Sequence, residues 1–261
     1  MPKILIVTVI ILYFYQIFDW IAILLAFLVS ILVVILLQVI FILLKGKYHL
    51  YQLKKGKKVN KTEIYNFINR LLRTVNYFLR LSISVEHFER FDANKHYLIT
   101  PNHQSNTDVP ILLEVLKYPV TYVAKIAISK LIIIKDYMKL IGSLYLNKDD
   151  MRGQIKVMQE VEVKLKNHES VVIFPEGKRS FTSEMNDFKP GTFKVATRTK
   201  CDILPITINN AYKLKDNYPW RRTDIKVYIH KPITYETYKD MSTQEIASMV
   251  KKIVEAKVEY E

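Results

Sequence analysis

The sequence predicts an α/β protein: a mixed central sheet flanked by helices, preceded by an N-terminal membrane-embedded helical hairpin. Two observations lead there. From Ile4 to Leu44 the chain is almost uninterruptedly apolar, with Gln16, Asp19 and Gln38 as its main polar breaks. Beyond residue 82, short β-branched and aromatic runs alternate with segments of helical period, the pattern of a sheet covered by helices. Removing the first 44 of the 261 residues leaves about 215, enough for one domain with a substantial core. The expected organisation is an anchoring hairpin over 1–44, a basic linker and amphipathic interfacial helix over 45–81, and an α/β domain over 82–261.

The apolar run is too long for a signal peptide and lacks a small-residue cleavage site. About 20 residues cross the hydrocarbon as a helix, so the run suffices for two passes turning near Asp19 and Trp20, or for a re-entrant or shallow hairpin that does not span. Lys45, Lys47, Lys54, Lys55, Lys57, Lys58 and Lys61 follow it, and such a positive flank belongs on the cytoplasmic side. The expected location is therefore a membrane, with the α/β domain on its cytoplasmic face. Ile64, Phe67, Ile68, Leu71, Leu72, Val75, Phe78 and Leu79 then form a broad helical stripe, suited to closing a core or lying in the interface.

The period next shortens. Ile83 and Val85, then Tyr97 to Thr100, read as strands. The second delivers the chain into Thr100–Pro110, TPNHQSNTDVP, after which an apolar run to Leu116 begins a helix, with Asp108 as its expected N-cap. Val120 to Ala124 is a strand leading to Lys125. Ile126 to Leu140 is apolar but studded with Lys130, Lys135 and Lys139, and Ser143 to Leu146 is strand-like. Met151, Ile155, Met158 and Leu165 mark an amphipathic helix, followed by a buried strand from Val171 to Phe174. In the tail, Ile225, Val227 and Ile229 alternate as in a strand, and Ser242 and Glu245 form a capping box.

Two strand-end loops carry chemistry. In the first, His103 can take a proton near neutral pH, and Asp108 can fix its tautomer and stabilise the imidazolium. Ser105 and Thr107 are the only hydroxyls between them, and nothing marks either as activated, so the nucleophile is expected from the substrate. In the second, Phe174 to Ser180, Gly177 permits a close approach of the backbone, and Lys178 and Arg179 supply donors for a phosphate. Taken singly, each loop has an ordinary reading, a hydrogen-bonded pair and a charged turn. Together they are what transfer to a phosphorylated alcohol needs.

Lys and Arg number 39 against 25 Asp and Glu, a formal net charge of +14 that implies an anionic partner. Half the chain is hydrophobic, which favours a membrane surface over nucleic acid. The single cysteine, Cys201, excludes an internal disulfide and a multi-Cys metal site.

The same residues resemble a known family, the glycerolipid acyltransferases of the 1-acyl-sn-glycerol-3-phosphate acyltransferase type. NHQSNTD (Asn102–Asp108) is similar to the family's first motif, NHxxxxD. FPEGKRS (Phe174–Ser180) is similar to its third, FPEGTRS, departing at Lys178. Lys125, Gly142 and Lys148 resemble the second motif, with Lys148 where the family has arginine; Leu204, Pro205 and Ile206 resemble the fourth; and Phe188–Gly191 fits the segment after the third. The resemblance covers residues 82 to about 210.

It implies transfer of a fatty acyl group from a thioester, acyl-CoA or acyl-acyl-carrier-protein, to the free hydroxyl of 1-acyl-sn-glycerol-3-phosphate, giving phosphatidic acid. His103 would be the base and Asp108 its orienter. Lys125, Lys178 and Arg179 would hold the phosphate, Gly177 would permit the turn, and Glu176 would bind glycerol hydroxyls or orient Arg179. Asn102 and Pro175 would support the loops. No metal or other cofactor is expected; the partners are membrane lipid, lysophospholipid and acyl donor, with no nucleic acid. The alternatives are the same chemistry on another lysophospholipid, hydrolysis of the acyl thioester, and a non-catalytic basic membrane-binding protein.

Overall fold

The computed structural model describes residues 2–147 and 149–260, and its chain divides into two compact units, Met1–Lys57 and Lys58–Glu261. Lys148, the residue at the arginine position of the second motif, lies outside the described residues.

The first unit is one helix, α1 (Pro2–Lys54), long and apolar enough to cross a membrane by length and composition. The expected hairpin is thus replaced by a continuous helix that passes through Asp19 and Trp20. The reason is local: no proline or glycine occurs between Lys3 and Lys45, and neither Asp nor Trp breaks a helix as those two do. At 1.5 Å per residue, the apolar run of about 40 residues extends about 60 Å, roughly twice a bilayer's hydrocarbon thickness.

The second unit begins with α2 (Lys61–Phe78), whose first turn is closed by Asn60: its side chain accepts from the backbone N–H groups of Thr62 and Glu63. α2 buries Ile64 and Tyr65 completely and packs on the segments that become β1, α3 and α4 below. The helix expected in an interfacial segment of its own therefore belongs to the same unit as the sheet. Its buried face is made by Ile64, Tyr65, Asn69 and Asn76, whereas Val75 and Phe78 of the expected stripe are exposed, because the face turned to the sheet is set by which neighbours the helix meets.

Seven strands form one sheet: β1 (Leu81–Glu86), β2 (Tyr97–Pro101), β3 (Thr121–Lys125), β4 (Leu144–Leu146), β5 (Val171–Val172), β6 (Asp202–Asn209) and β7 (Thr223–Ile229), in the order β1-β7-β6-β2-β5-β3-β4. The helices between them are α3 (Asp108–Leu116), α4 (Ile132–Leu140), α5 (Met151–Lys166), α6 (Lys194–Thr199) and α7 (Leu214–Asn217); α8 (Tyr235–Tyr238) and α9 (Thr243–Glu255) follow β7. The pairs β2–β6, β2–β5, β3–β5 and β3–β4 are parallel. β7 runs antiparallel to β6, and β1 parallel to β7. The sheet is mixed, as expected, and the carboxyl ends of β2 to β6 lie together with the amino ends of β1 and β7. That shared edge carries the site.

On one face, Val161 and Leu165 of α5, Val195 and Ala196 of α6, and Ile246 and Val250 of α9 pack against Leu98, Val171 and Ile203. Each fully buried aliphatic side chain contributes on the order of 1.5–3 kcal/mol, so this layer holds β2 and β6 rigid beneath their loops. Ser242 and Glu245 form the expected capping box at the start of α9.

Candidate active site

At the end of β2, Asn102 continues the ladder with its side chain. Its Nδ2 donates to the carbonyl of Ile208 at 2.9 Å, and its Oδ1 accepts from the N–H of Ile208 at 2.7 Å. Residue 102 is completely buried. The strand is thereby held to β6 one step past its last backbone pair, Pro101 with Ile206, and His103 leaves it in a fixed direction.

His103 Nδ1 lies 2.6 Å from Asp108 Oδ2. The same oxygen accepts the N–H of Gln104 at 2.7 Å and of Ser105 at 2.9 Å. Asp108 is the first residue of α3, and Thr107 occupies the cap position. The carboxylate expected to cap that helix instead turns back onto the loop preceding it. Burial pushes the Asp108 carboxyl above its ordinary value, opposed by the His103 and amide donors, while Oδ1 has no partner among the described residues. With Nδ1 bound to a carboxylate, Nε2 is the ring nitrogen left for a substrate, and the side chain is 19% exposed. The Phe174 ring stacks on it at 4.1 Å between centroids. Ser105 and Thr107 bond to each other and not to the imidazole, so neither hydroxyl is activated by it.

The second loop is fastened directly to the first. The N–H of Ser180 donates to the carbonyl of His103 at 2.8 Å, and that of Phe181 to the carbonyl of Gln104 at 3.1 Å. Arg179 is therefore next in chain to a residue bonded to His103. Its guanidinium lies 5.1 Å from the Phe181 ring centroid and pairs with no carboxylate among the described residues. Lys178 is exposed beside it, and Lys125 is exposed at the carboxyl end of β3. Gly177 has a φ of +68°, and a Cβ there would come within 2.9 Å of Lys189 Nζ. Pro175, buried, accepts the N–H of Lys189 at 2.9 Å.

Glu176 differs from expectation. It is 2% exposed; Oε1 accepts the N–H of His103 at 2.6 Å, and Oε2 accepts both the N–H and the side-chain amide of Asn186, at 2.8 and 2.7 Å. Burial raises its carboxyl above the ordinary value against those donors. It neither faces solvent nor orients Arg179; it ties the histidine loop to the segment around Asn186. Sequence reasoning missed Asn186, which nothing in its surroundings marks, and Phe174, which it placed in the motif without a function.

These features define a class: an α/β protein in which a carboxylate orients an imidazole on a loop bonded to a second loop that carries cationic side chains, and neither hydroxyl between the histidine and the aspartate bonds the imidazole. Residues 82–209, just under half of the chain, match the family model described as Acyltransferase. It is 29% identical over 177 residues to the chloroplastic 1-acyl-sn-glycerol-3-phosphate acyltransferase LPAT1 of Arabidopsis thaliana, covering 66% of this chain and 49% of that one. To the 1-acyl-sn-glycerol-3-phosphate acyltransferase of Saccharomyces cerevisiae it is 30% identical over 164 residues, covering 61% and 54%. The match thus spans about half the length of these curated relatives. The crystal structure of the 1-acyl-sn-glycerophosphate acyltransferase PlsC from Thermotoga maritima has the same fold, with a TM-score of 0.69 at 21% identity over 84% of this chain and 89% of that one.

Proposed function

We propose that the protein transfers a fatty acyl group from a thioester to the free hydroxyl of 1-acyl-sn-glycerol-3-phosphate, giving phosphatidic acid. The observation that carries this reading is the contact of His103 Nδ1 with Asp108, which leaves Nε2 as the base on a loop bonded to the one that carries Lys178 and Arg179. The names of the relatives support the acceptor. Nε2 takes the proton of the lipid hydroxyl as its oxygen attacks the thioester carbonyl. A C–O bond forms, the C–S bond breaks, and the imidazolium returns the proton to the departing thiolate. Asp108 stabilises the imidazolium between these steps.

The developing oxyanion needs donors. The amides of Gly177, Ser180 and Phe181 are already engaged, which leaves those of Lys178 and Arg179, with no partner among the described residues, as the candidates. Arg179, with Lys178 and Lys125, holds the acceptor phosphate. The donor is acyl-CoA or an acylated carrier protein, and no metal or other cofactor takes part. α1 anchors the enzyme in the membrane, with the α/β domain on the cytoplasmic side, where its lysine flank points.

The test is thiol release by the purified full chain with a panel of lysophospholipids. Lysophosphatidic acid should be the best acceptor, and His103→Ala should abolish turnover while lysophosphatidic acid still binds. Thiol release independent of acceptor would make the protein a thioesterase instead, and wild-type turnover in His103→Ala would end the mechanism.

A further inference from the structure

Because β7 runs against β6, its amino end lies at the same edge of the sheet as the carboxyl ends of β2 and β3. The segment between α7 and β7, Tyr218 to Arg222, therefore sits at the edge that carries His103. So does the carboxyl end of α2, which feeds β1. These two segments place an unusual set of side chains in the open: Trp220 is 84% exposed, Tyr77 79% and Phe78 70%, with Tyr218 also exposed.

The exposure is built into an ordered turn. The N–H of Tyr218 donates to Leu214, that of Arg221 to Asn217, and that of Thr223 to the carbonyl of Arg80. Arg80 Nη1 donates to the carbonyl of Trp220 at 3.1 Å, joining the turn to the end of α2. Arg222 pairs with Asp224 and bonds Ser82, while the exposed Arg221 has no side-chain partner among the described residues. Across the same edge, after β3, Ile126 and Leu131 to Ile134 are exposed too, with Lys130 among them.

Large exposed aromatics cost solvation unless something covers them, and a patch of this kind marks an interaction surface. Its chemistry selects the occupant. Tryptophan and tyrosine seat their rings at the level of lipid headgroups, and arginine lays its stem on apolar surface while its head reaches phosphate. A chain of formal charge +14 complements an anionic bilayer.

We propose that the turn carrying Trp220, with Tyr77, Phe78, Arg80 and Arg221, docks the α/β domain onto the lipid surface as a second attachment distinct from α1. The edge that carries His103 then faces the bilayer, and a lipid acceptor reaches Nε2 without leaving the membrane. The choice of a lipid occupant rests on the proposed function; the docking is read by fluorescence and needs no turnover.

The chain has two tryptophans, so Trp20→Phe leaves Trp220 as the sole reporter. This full-length variant is reconstituted into bilayers of phosphatidylcholine and phosphatidylglycerol containing brominated acyl chains. Quenching of Trp220 by the brominated lipid, with at least a fivefold loss of access to iodide, is the expected result. Open access to iodide without lipid quenching overturns the proposal. Shielding from iodide without lipid quenching also overturns it, and assigns the patch to a protein contact. In a wild-type background, Trp220→Ala with Arg221→Gln should raise KM for bilayer-borne acceptor about tenfold and leave kcat unchanged with a short-chain, water-soluble acceptor. If no acceptor is turned over at all, the proposed function fails while the quenching result still decides the docking.

Discussion

Asp108→Asn tests whether the carboxylate acts on charge or on geometry. Three donors, His103 Nδ1 and the N–H groups of Gln104 and Ser105, converge on the single oxygen Oδ2. In the variant the amide oxygen must occupy that place, because the opposite rotamer would set an NH₂ against two backbone donors. His103 should therefore keep its tautomer and lose only the charge that stabilises its protonated form. A charge-assisted hydrogen bond in such a site contributes about 1.5–3 kcal/mol, and each 1.36 kcal/mol is tenfold in rate. The expected fall in kcat is about 10- to 150-fold. That is well short of the roughly 10⁴-fold known where an asparagine forces the wrong tautomer. Thermal unfolding should move little. Asp108→Ala, by contrast, leaves two loop amides unpaired and should destabilise by about 2–6 kcal/mol. The assay is steady-state thiol release between pH 4 and 9, beside calorimetry. Because burial raises the Asp108 carboxyl, the acid limb it sets in the wild type should lie above the ordinary carboxylate value of 3.8, and the variant should lack it. Wild-type kcat in a folded Asp108→Asn would refute the orienting function, and a 10⁴-fold loss would refute the single-oxygen argument.

Glu176→Gln should be worse than its shape suggests, because in either rotamer its NH₂ confronts a donor, the N–H of His103 at one end or both donors of Asn186 at the other; a loss of about 2–4 kcal/mol by denaturant unfolding is expected, accompanied by a fall in kcat. Gly177→Ala should cost about 1–2 kcal/mol from the left-handed backbone alone, and adding Lys189→Ala should relieve the steric part without restoring full stability, as thermal melts of the single and double variants would show. Buried His230 gives a pH signature. Its Nε2 lies 2.8 Å from Thr207 Oγ1, and burial, with Arg90 nearby, lowers its pKa from 6.5 to about 4. Since the unfolded chain takes up the proton first, this contribution is complete above pH 6.5 and is lost as pH falls towards 4, by at most about 3 kcal/mol. His230→Gln should flatten that part of the stability profile, and an unchanged profile would contradict the assignment.

Much of this architecture was legible because its signals are local. The β2 loop and the start of α3 follow from a strand run, a proline and an Asn–His pair, and the capping box of α9 is written in Ser242 and Glu245. What could not be read depends on which partner a side chain finds. Glu176 was legible as part of a motif, but its bond to His103 depends on how β2 and β5 adjoin in the sheet. Asn186 has no local signature, and Asn102 acquires its place only by meeting Ile208, more than a hundred residues away. The turn expected at Asp19 and Trp20 shows the converse. A run long enough for two passes, broken by the polar Asp19, suggests a turn, but without glycine or proline the backbone has no cause to leave the helix.

The two bonds joining His103 and Gln104 to Ser180 and Phe181 make the base and the cationic loop one mechanical piece. A ligand that grips only Arg179 must also quiet the backbone around the histidine. Amide hydrogen exchange would report this as slower exchange at Ser180 and Phe181, whose protons lie in the seam, and at Gln104 and Ser105 across it. Cooperativity between the two substrates of such an enzyme would then need no moving lid, only a shared stiffening of this seam.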